Sequence, residues 1–363
     1  MGRSDHGREG LIDQAGEMRS EDALDVAVVD RFLKERVAGL EGLPEVAQYP
    51  GGASNLTYLL RYPDRDLILR RPPSGHKAKS AHDVLREARI MAALKPVYPY
   101  VPEIVALGED QAILGCDFYV MERLVGIIPR RDLPTGLTLD RAETRKLCLA
   151  VLDKLIELHM VDPAAAGLQG LAKGAGYVRR QVEGWSGRWQ QALTDDVAPL
   201  PDVLDWIART MPDGEVAIRL IHNDFRFDNV VLDADDPLRV IGVLDWEMAT
   251  LGDPLMDLGA VISYWVEAGD DESFRARRRQ PTHLPGMLTR AEVIAYYGEK
   301  TGWSVETFDF YEVFGLFRLA VIIQQIYRRY YLKQTTNPRF ASYGQAANEL
   351  GRRCQALIAR SKL

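Results

Sequence analysis

Two acidic motifs about twenty residues apart constrain this chain more than any other feature: His222-Asn223-Asp224-Phe225-Arg226-Phe227-Asp228-Asn229 and Leu244-Asp245-Trp246-Glu247. Between them, Val230-Val231-Leu232 and Arg239-Val240-Ile241-Gly242-Val243-Leu244 flank a turn running from Asp233 to Pro237. Apolar runs around an Asp/Pro turn predict a β-hairpin. A hairpin returns the chain to its start, so Asn229 at its entrance and Asp245 at its exit become neighbours. Asp224 precedes Asn229 by five residues, in the loop that feeds the first strand. Three oxygen-bearing side chains are therefore expected at one end of a short sheet. Hard oxygen ligands of this kind suit Mg²⁺, which keeps several waters and takes one or two carboxylates plus substrate phosphates.

This spacing resembles the protein-kinase pattern of a catalytic-loop Asp, a metal-binding Asn five residues on, and a second metal-binding Asp. It resembles more closely the aminoglycoside phosphotransferase and choline kinase family, whose loop usually reads His-Gly-Asp-x-x-x-x-Asn and whose second Asp is followed by Trp. Within that family, Asp224 to Asn229 and Asp245-Trp246-Glu247-Met248-Ala249-Thr250-Leu251-Gly252-Asp253-Pro254-Leu255-Met256-Asp257-Leu258 look like the subfamily that also occurs fused to acyl-CoA dehydrogenases. The likeness covers nearly the whole chain after about the first 25 residues. It implies an α+β, two-lobed protein-kinase-like fold, with a small antiparallel β-rich lobe and a larger, mainly helical lobe. Asn223 stands where the family usually has Gly. Asn tolerates positive φ better than most residues, so the loop is expected to keep its path.

The candidate site residues fall into three groups. Asp224 is the expected catalytic base, because phosphoryl transfer needs a carboxylate that orients the acceptor hydroxyl and takes its proton. Asn229 and Asp245 are the expected Mg²⁺ ligands. His222 is read as ordering the loop, and Asp253 and Asp257 as capping or buried hydrogen-bonding groups for the following helix. In the second group, Arg70 on a strand and Glu87 on a helix form a pair suited to nucleotide phosphates. Strand alternation selects Arg70 over Arg71, and Arg replaces the usual kinase Lys. In the third, Gly51, Gly52, Ser54 and Asn55 form a small-residue loop whose backbone N–H groups can approach phosphate oxygens. Met121, Glu122 and Leu124 would offer backbone groups to adenine. A Gly-Lys-Ser/Thr phosphate loop does not occur in the sequence.

A net charge of −7 over 363 residues argues against a nucleic-acid partner. The apolar runs read as too short for a membrane span. Cys116, Cys148 and Cys354 are too scattered for a metal or disulfide framework, which predicts a reducing, cytoplasmic setting. Nothing in the sequence indicates a homodimer. The expected division is a mobile tail over 1–25, a nucleotide-binding lobe over 26–122, and a catalytic and acceptor-binding lobe over 123–363. Gly269 to Pro285 reads as a charged loop.

Together these features predict transfer of the γ-phosphoryl of ATP, with GTP as the alternative nucleotide, to a hydroxyl on a small molecule. The dehydrogenase-fused subfamily suggests a hydroxyacyl-CoA or related hydroxylated metabolite as that molecule. Arg179, Arg180, Arg188, Arg328 and Arg329 favour an anionic or neutral acceptor over a polycationic one. The competing readings are a nucleotide-binding regulatory or scaffold protein without turnover, and an aminoglycoside-modifying kinase.

Overall fold

A computed structural model describes residues 10–50, 55–73 and 83–363. The chain forms two compact units that interleave along the sequence: Met1–Val151, Ala164–Leu168 and Phe227–Ala249 in one, and Leu152–Pro163, Gln169–Arg226 and Thr250–Leu363 in the other. The change from strand-rich to helix-rich sequence near residue 123 marks secondary-structure content, whereas this division follows contact. The hairpin between the two acidic motifs accordingly belongs with the β-rich unit.

In the first unit, Leu- and Tyr-rich segments of β-forming composition make a five-stranded antiparallel sheet. Its strands are β1 (Glu45–Gln48), β2 (Leu56–Arg61), β3 (Asp66–Arg71), β4 (Ile104–Gly108) and β5 (Phe118–Glu122), in the order β1-β2-β3-β5-β4. Tyr58, Leu60, Leu67, Leu69, Phe118 and Val120 share one buried cluster with Phe32 and Leu33 of helix α1 (Val26–Lys34). Helix α2 (Val84–Leu94) starts at Asp83, whose carboxylate accepts the Arg86 amide at 2.9 Å, and it buries Ala88, Met91 and Leu94. A single-turn helix, α3 (Gln111–Leu114), separates β4 from β5.

The mobile tail expected over 1–25 is corrected for residues 10–25. Gly16 bridges the edge strand at Gln48, and the Gln48 side-chain amide donates to Asp22 at 2.9 Å. Arg71 donates to the Asp22 carbonyl at 2.8 Å, and Arg123 to that of Asp13 at 3.1 Å. Polar composition suggested a free segment, but most of these anchors act on its backbone, which composition does not report.

Helix α4 (Arg141–Met160) runs from the first unit into the second. The second unit holds α5 (Tyr177–Ala192), α6 (Pro201–Thr210), α7 (Pro254–Ser263), α8 (Glu272–Ala276), α9 (Arg290–Thr301), α10 (Phe308–Tyr331) and α11 (Tyr343–Ile358). Helix α8 lies inside the stretch expected to be a charged loop, capped by Asp271. Strand β6 (Arg219–Ile221) pairs antiparallel with β9 (Thr250–Gly252); the hairpin strands β7 (Val230–Leu232) and β8 (Val240–Val243) lie between them in sequence. Every residue of α7 is buried, and it crosses α10 where Gly259 meets Gly315. A Cβ on Gly315 would stand 2.2 Å from the Gly259 carbonyl oxygen, so the absent side chain is what allows the approach. Helix α10 corrects the reading that apolar runs fall short of a span: it is 24 residues long and apolar enough to cross a membrane. Within its most apolar window 61% is buried inside the protein, so a packed core accounts for its composition.

Candidate active site

The expected hairpin forms between the two motifs. Val230 pairs with Val243, and the Leu244 amide donates to the Asn229 carbonyl at 2.8 Å, which sets Asp245 next to the Asn229 backbone. Asp233 fastens the turn by accepting from the amides of Asp235 and Asp236. Trp246 is fully buried, its indole N–H donating to the Val243 carbonyl at 2.9 Å and its ring edge-on to Tyr98. Anchored this way, the chain turns at Asp245 through φ 69°, ψ 58°, a left-handed conformation that Asp adopts more readily than most residues. Asp245 stays 34% exposed, so its carboxylate is accessible to a ligand, whereas Asn229 is buried.

Arg70 joins Asp245 to the sheet. Its Nη1 donates to Glu87 Oε1 at 2.5 Å and lies 3.4 Å from the Tyr119 hydroxyl, while its Nη2 donates to Asp245 Oδ1 at 3.2 Å. Burial pushes the Glu87 carboxyl up to about 7, against the attraction of Arg70. Arg70 itself is held well above its ordinary value, because Tyr119, Glu87 and Asp245 outweigh its own burial. Arg71, on the opposite face of β3, donates instead to the Tyr58 hydroxyl and the Asp22 carbonyl. Asn55 donates to Glu247 Oε2 at 3.2 Å. Among the described residues, Asn55 Oδ1, Glu87 Oε2 and Arg70 Nε are buried and find no hydrogen-bond partner. Such buried orphans are costly unless a ligand or water completes them.

Arg70, Glu87, Asp245 and Asn55 are thus brought together in the first unit. Gly51, Gly52 and Ser54 lie outside the described residues. At the proposed adenine edge, Met121 pairs with Ile68 in the sheet, the Glu122 amide donates to Glu103 at 2.9 Å, and Leu124 packs over Gly242. Among the described residues no three His, Cys, Asp or Glu side chains group as a metal cage. The hard carboxylate and amide oxygens of Asp245 and Asn229 fit Mg²⁺, which is usually bound by few protein ligands plus water and phosphate.

Asp224 belongs to the second unit, in the loop after β6. Its backbone is held from below. Buried Asp257 accepts the His222 amide at 2.7 Å and the Asn223 amide at 2.8 Å, and pairs with His159 Nε2 at 3.1 Å, while His159 Nδ1 lies 2.6 Å from the Tyr297 hydroxyl. Burial alone would raise the Asp257 carboxyl, but His159 and the loop amides bring it below the usual range. Asn223 takes φ 66°, with Arg318 donating to its carbonyl at 3.0 Å, so the Gly-to-Asn departure is accommodated. His222 Nδ1 accepts the Asp224 amide at 3.3 Å, which is the ordering role expected of it. Asp253 caps α7 through the Leu255 amide and also accepts from Val216; burial raises it to about 6.

Several residues of the site escaped sequence reasoning. Arg226 pairs with Asp224 at 3.2 Å and lies over the Tyr264 ring; its position two residues after Asp224 was the available signal. Arg86 and Tyr119 gave none, since nothing local distinguishes them. Tyr177, Trp185 and Trp189 are buried in α5, whereas Arg179, Arg180, Arg188, Arg328 and Arg329 are exposed.

A β-rich unit with a strand Arg paired to a helix Glu, and a hairpin bearing Asn and Asp, defines a kinase-like phosphotransferase fold. Residues 45–293 match the family model described as the phosphotransferase enzyme family APH, and the chain belongs to that family. It is similar to mouse acyl-CoA dehydrogenase family member 10, with 33% identity over 311 residues, covering 84% of this chain and 29% of that protein. The chain therefore spans under a third of that relative's length. A solved putative aminoglycoside phosphotransferase from Ralstonia eutropha superposes with a TM-score of 0.80 at 27% identity, covering 94% of this chain and all of that one. A choline kinase from Cryptosporidium parvum shares the fold alone, with a TM-score of 0.60 at 10% identity, over 93% of this chain and 97% of its own. The fold class is the α+β, protein-kinase-like one.

Proposed function

We propose that this protein transfers the γ-phosphoryl group of ATP to a hydroxyl of a hydroxylated acyl-CoA or a related anionic metabolite. The observation that carries the reading is Arg70, one buried guanidinium bridging Glu87 and Asp245 in a phosphotransferase-family chain. Asp224 accepts the acceptor hydroxyl's proton as the new O–P bond forms and the bond from the γ-phosphorus to ADP breaks. Arg226, ion-paired to Asp224, steadies that carboxylate. Arg70 anchors phosphate oxygens, its orientation fixed by Glu87. Asn229 and Asp245 would hold Mg²⁺, which when bound neutralises phosphate charge. Most of the rate would come from positioning and charge neutralisation.

The acyl-CoA class is supported by the kinship with acyl-CoA dehydrogenase family members and by the exposed arginines of α5 and α10. A reducing, cytoplasmic location is the setting proposed for a chain with three scattered cysteines. The test is a phosphate-transfer screen with ATP and Mg²⁺ over hydroxyacyl-CoAs, free hydroxy acids and kanamycin-like aminoglycosides. Anionic acceptors should be phosphorylated saturably and less efficiently as salt rises, because screening weakens charge capture. Efficient, saturable phosphorylation of an aminoglycoside at micromolar concentration would overturn the acceptor class. Nucleotide binding with no transfer to any hydroxyl compound would favour a regulatory protein over an enzyme.

A further inference from the structure

The segment after Asp245 is gripped by a side chain that the chemistry itself does not use. Arg86 stands in the first turn of α2, its own amide capped by Asp83. Its guanidinium reaches across to the short helix Trp246–Met248, where Nη1 donates to the Glu247 carbonyl at 3.3 Å and Nη2 donates to the Ala249 carbonyl. The turn's own internal bond, from the Ala249 amide to the Trp246 carbonyl, uses neither of these oxygens. Arg89, one turn further along α2, pairs instead with Glu109 on the exposed surface.

We propose that Arg86 is a positioning residue that fixes the metal-binding conformation of Asp245. Asp245 sits in a left-handed conformation that Asp adopts more readily than most residues but that still costs free energy unless its surroundings hold it. Upstream it is fixed by the hairpin and the buried Trp246. Downstream, the two carbonyls gripped by Arg86 stop the chain from relaxing toward an extended path. The next residue of α2, Glu87, orients Arg70, which in turn contacts the Asp245 carboxylate. One helix turn thus sets both the backbone and the side-chain direction of the expected Mg²⁺ ligand. The inference rests on the reading of Asp245 as that ligand.

Groups that hold a metal ligand in place typically change metal affinity 10–100-fold when removed. Arg86→Met keeps the length and apolar stem but loses both hydrogen bonds. Arg86→Lys keeps the charge and can serve one carbonyl at a time. Arg89→Met is the control on the outer face of the same helix. Titration calorimetry with a non-hydrolysable ATP analogue, repeated across a Mg²⁺ series, reads the Mg²⁺ concentration at half-maximal nucleotide binding. The expected order is wild type and Arg89→Met lowest, Arg86→Lys intermediate, and Arg86→Met higher by about tenfold. Binding of the analogue without Mg²⁺ should stay close to wild type. Equal Mg²⁺ midpoints in wild type and both Arg86 variants would overturn the proposal, whatever their melting temperatures. A wild-type protein that binds the analogue with no Mg²⁺ dependence would instead overturn the metal reading of Asp245 beneath it. If Arg86→Met does not fold, Arg86→Lys carries the comparison, and a wild-type midpoint there would overturn the proposal equally.

Discussion

A single carboxylate carries the most exposed claim about chemistry. Asp224 sits in a loop that Asp257, Arg318 and His222 hold through backbone groups of residues 222–224. Asp224→Asn should therefore fold normally and bind nucleotide as before, while turnover drops by roughly a hundredfold or more, the usual share of a general base. Single-turnover phosphate transfer checks it, and a wild-type rate would remove Asp224 from the mechanism. At this scale the sequence was informative wherever a role is tied to spacing within one motif. Asp224, Asn229 and Asp245 are picked out as candidates by their intervals, and Arg70 by strand alternation. Arg86 does not, because its partners are backbone carbonyls about 160 residues away, and a carbonyl has no letter in the sequence.

Among the elements, the α7–α10 crossing is the contact with least room. Gly315→Ala would gain helix propensity of up to about 1 kcal/mol at an ordinary exposed position. Here the new methyl meets the Gly259 backbone at 2.2 Å, which only a helix shift can relieve. The variant should lose roughly 1–3 kcal/mol, the usual cost of overpacking. Gly187→Ala on α5, where a Cβ would meet nothing within 4 Å beyond its own helix backbone among the described residues, should gain stability instead. Urea unfolding of both measures the contrast, and equal shifts would show that the helices give way freely. The hairpin was legible from its apolar runs and turn residues, whereas the short helix α8 was hidden in a charged stretch. The β6–β9 pair was not: two three-residue strands joined across 28 intervening residues carry too little periodicity to read. Nor was the anchoring of residues 10–25, whose partners Gln48, Arg71 and Arg123 come from three distant segments.

For the molecule as a whole, two buried carboxylates of α7 give stability opposite slopes with pH. Asp257 is held below the ordinary value of 3.8, so its contribution is complete above that value and is lost as pH falls through the folded one. Asp253 is raised from 3.8 to about 6, so the folded state binds its proton more tightly than the unfolded state. Its contribution is present below 3.8 and is lost as pH climbs through about 6. Asp253→Asn should therefore flatten the stability profile between those limits, by on the order of 1–3 kcal/mol relative to wild type. Chemical denaturation at a series of pH values tests the slope independently of any overall destabilisation. A variant with the wild-type slope would show that Asp253 does not titrate in that window.

Strand β3 is the middle strand of its sheet, and its two adjacent arginines serve opposite faces, one turned to Glu87 and Asp245, the other to the segment at Asp22. Because side chains alternate strictly along a strand, a slip of one residue would exchange the two. Each face would then receive an arginine at the wrong height, and the two failures could not be repaired separately. The paired arginines act as a vernier on the strand: the chain can drift in length before or after β3, but not within it.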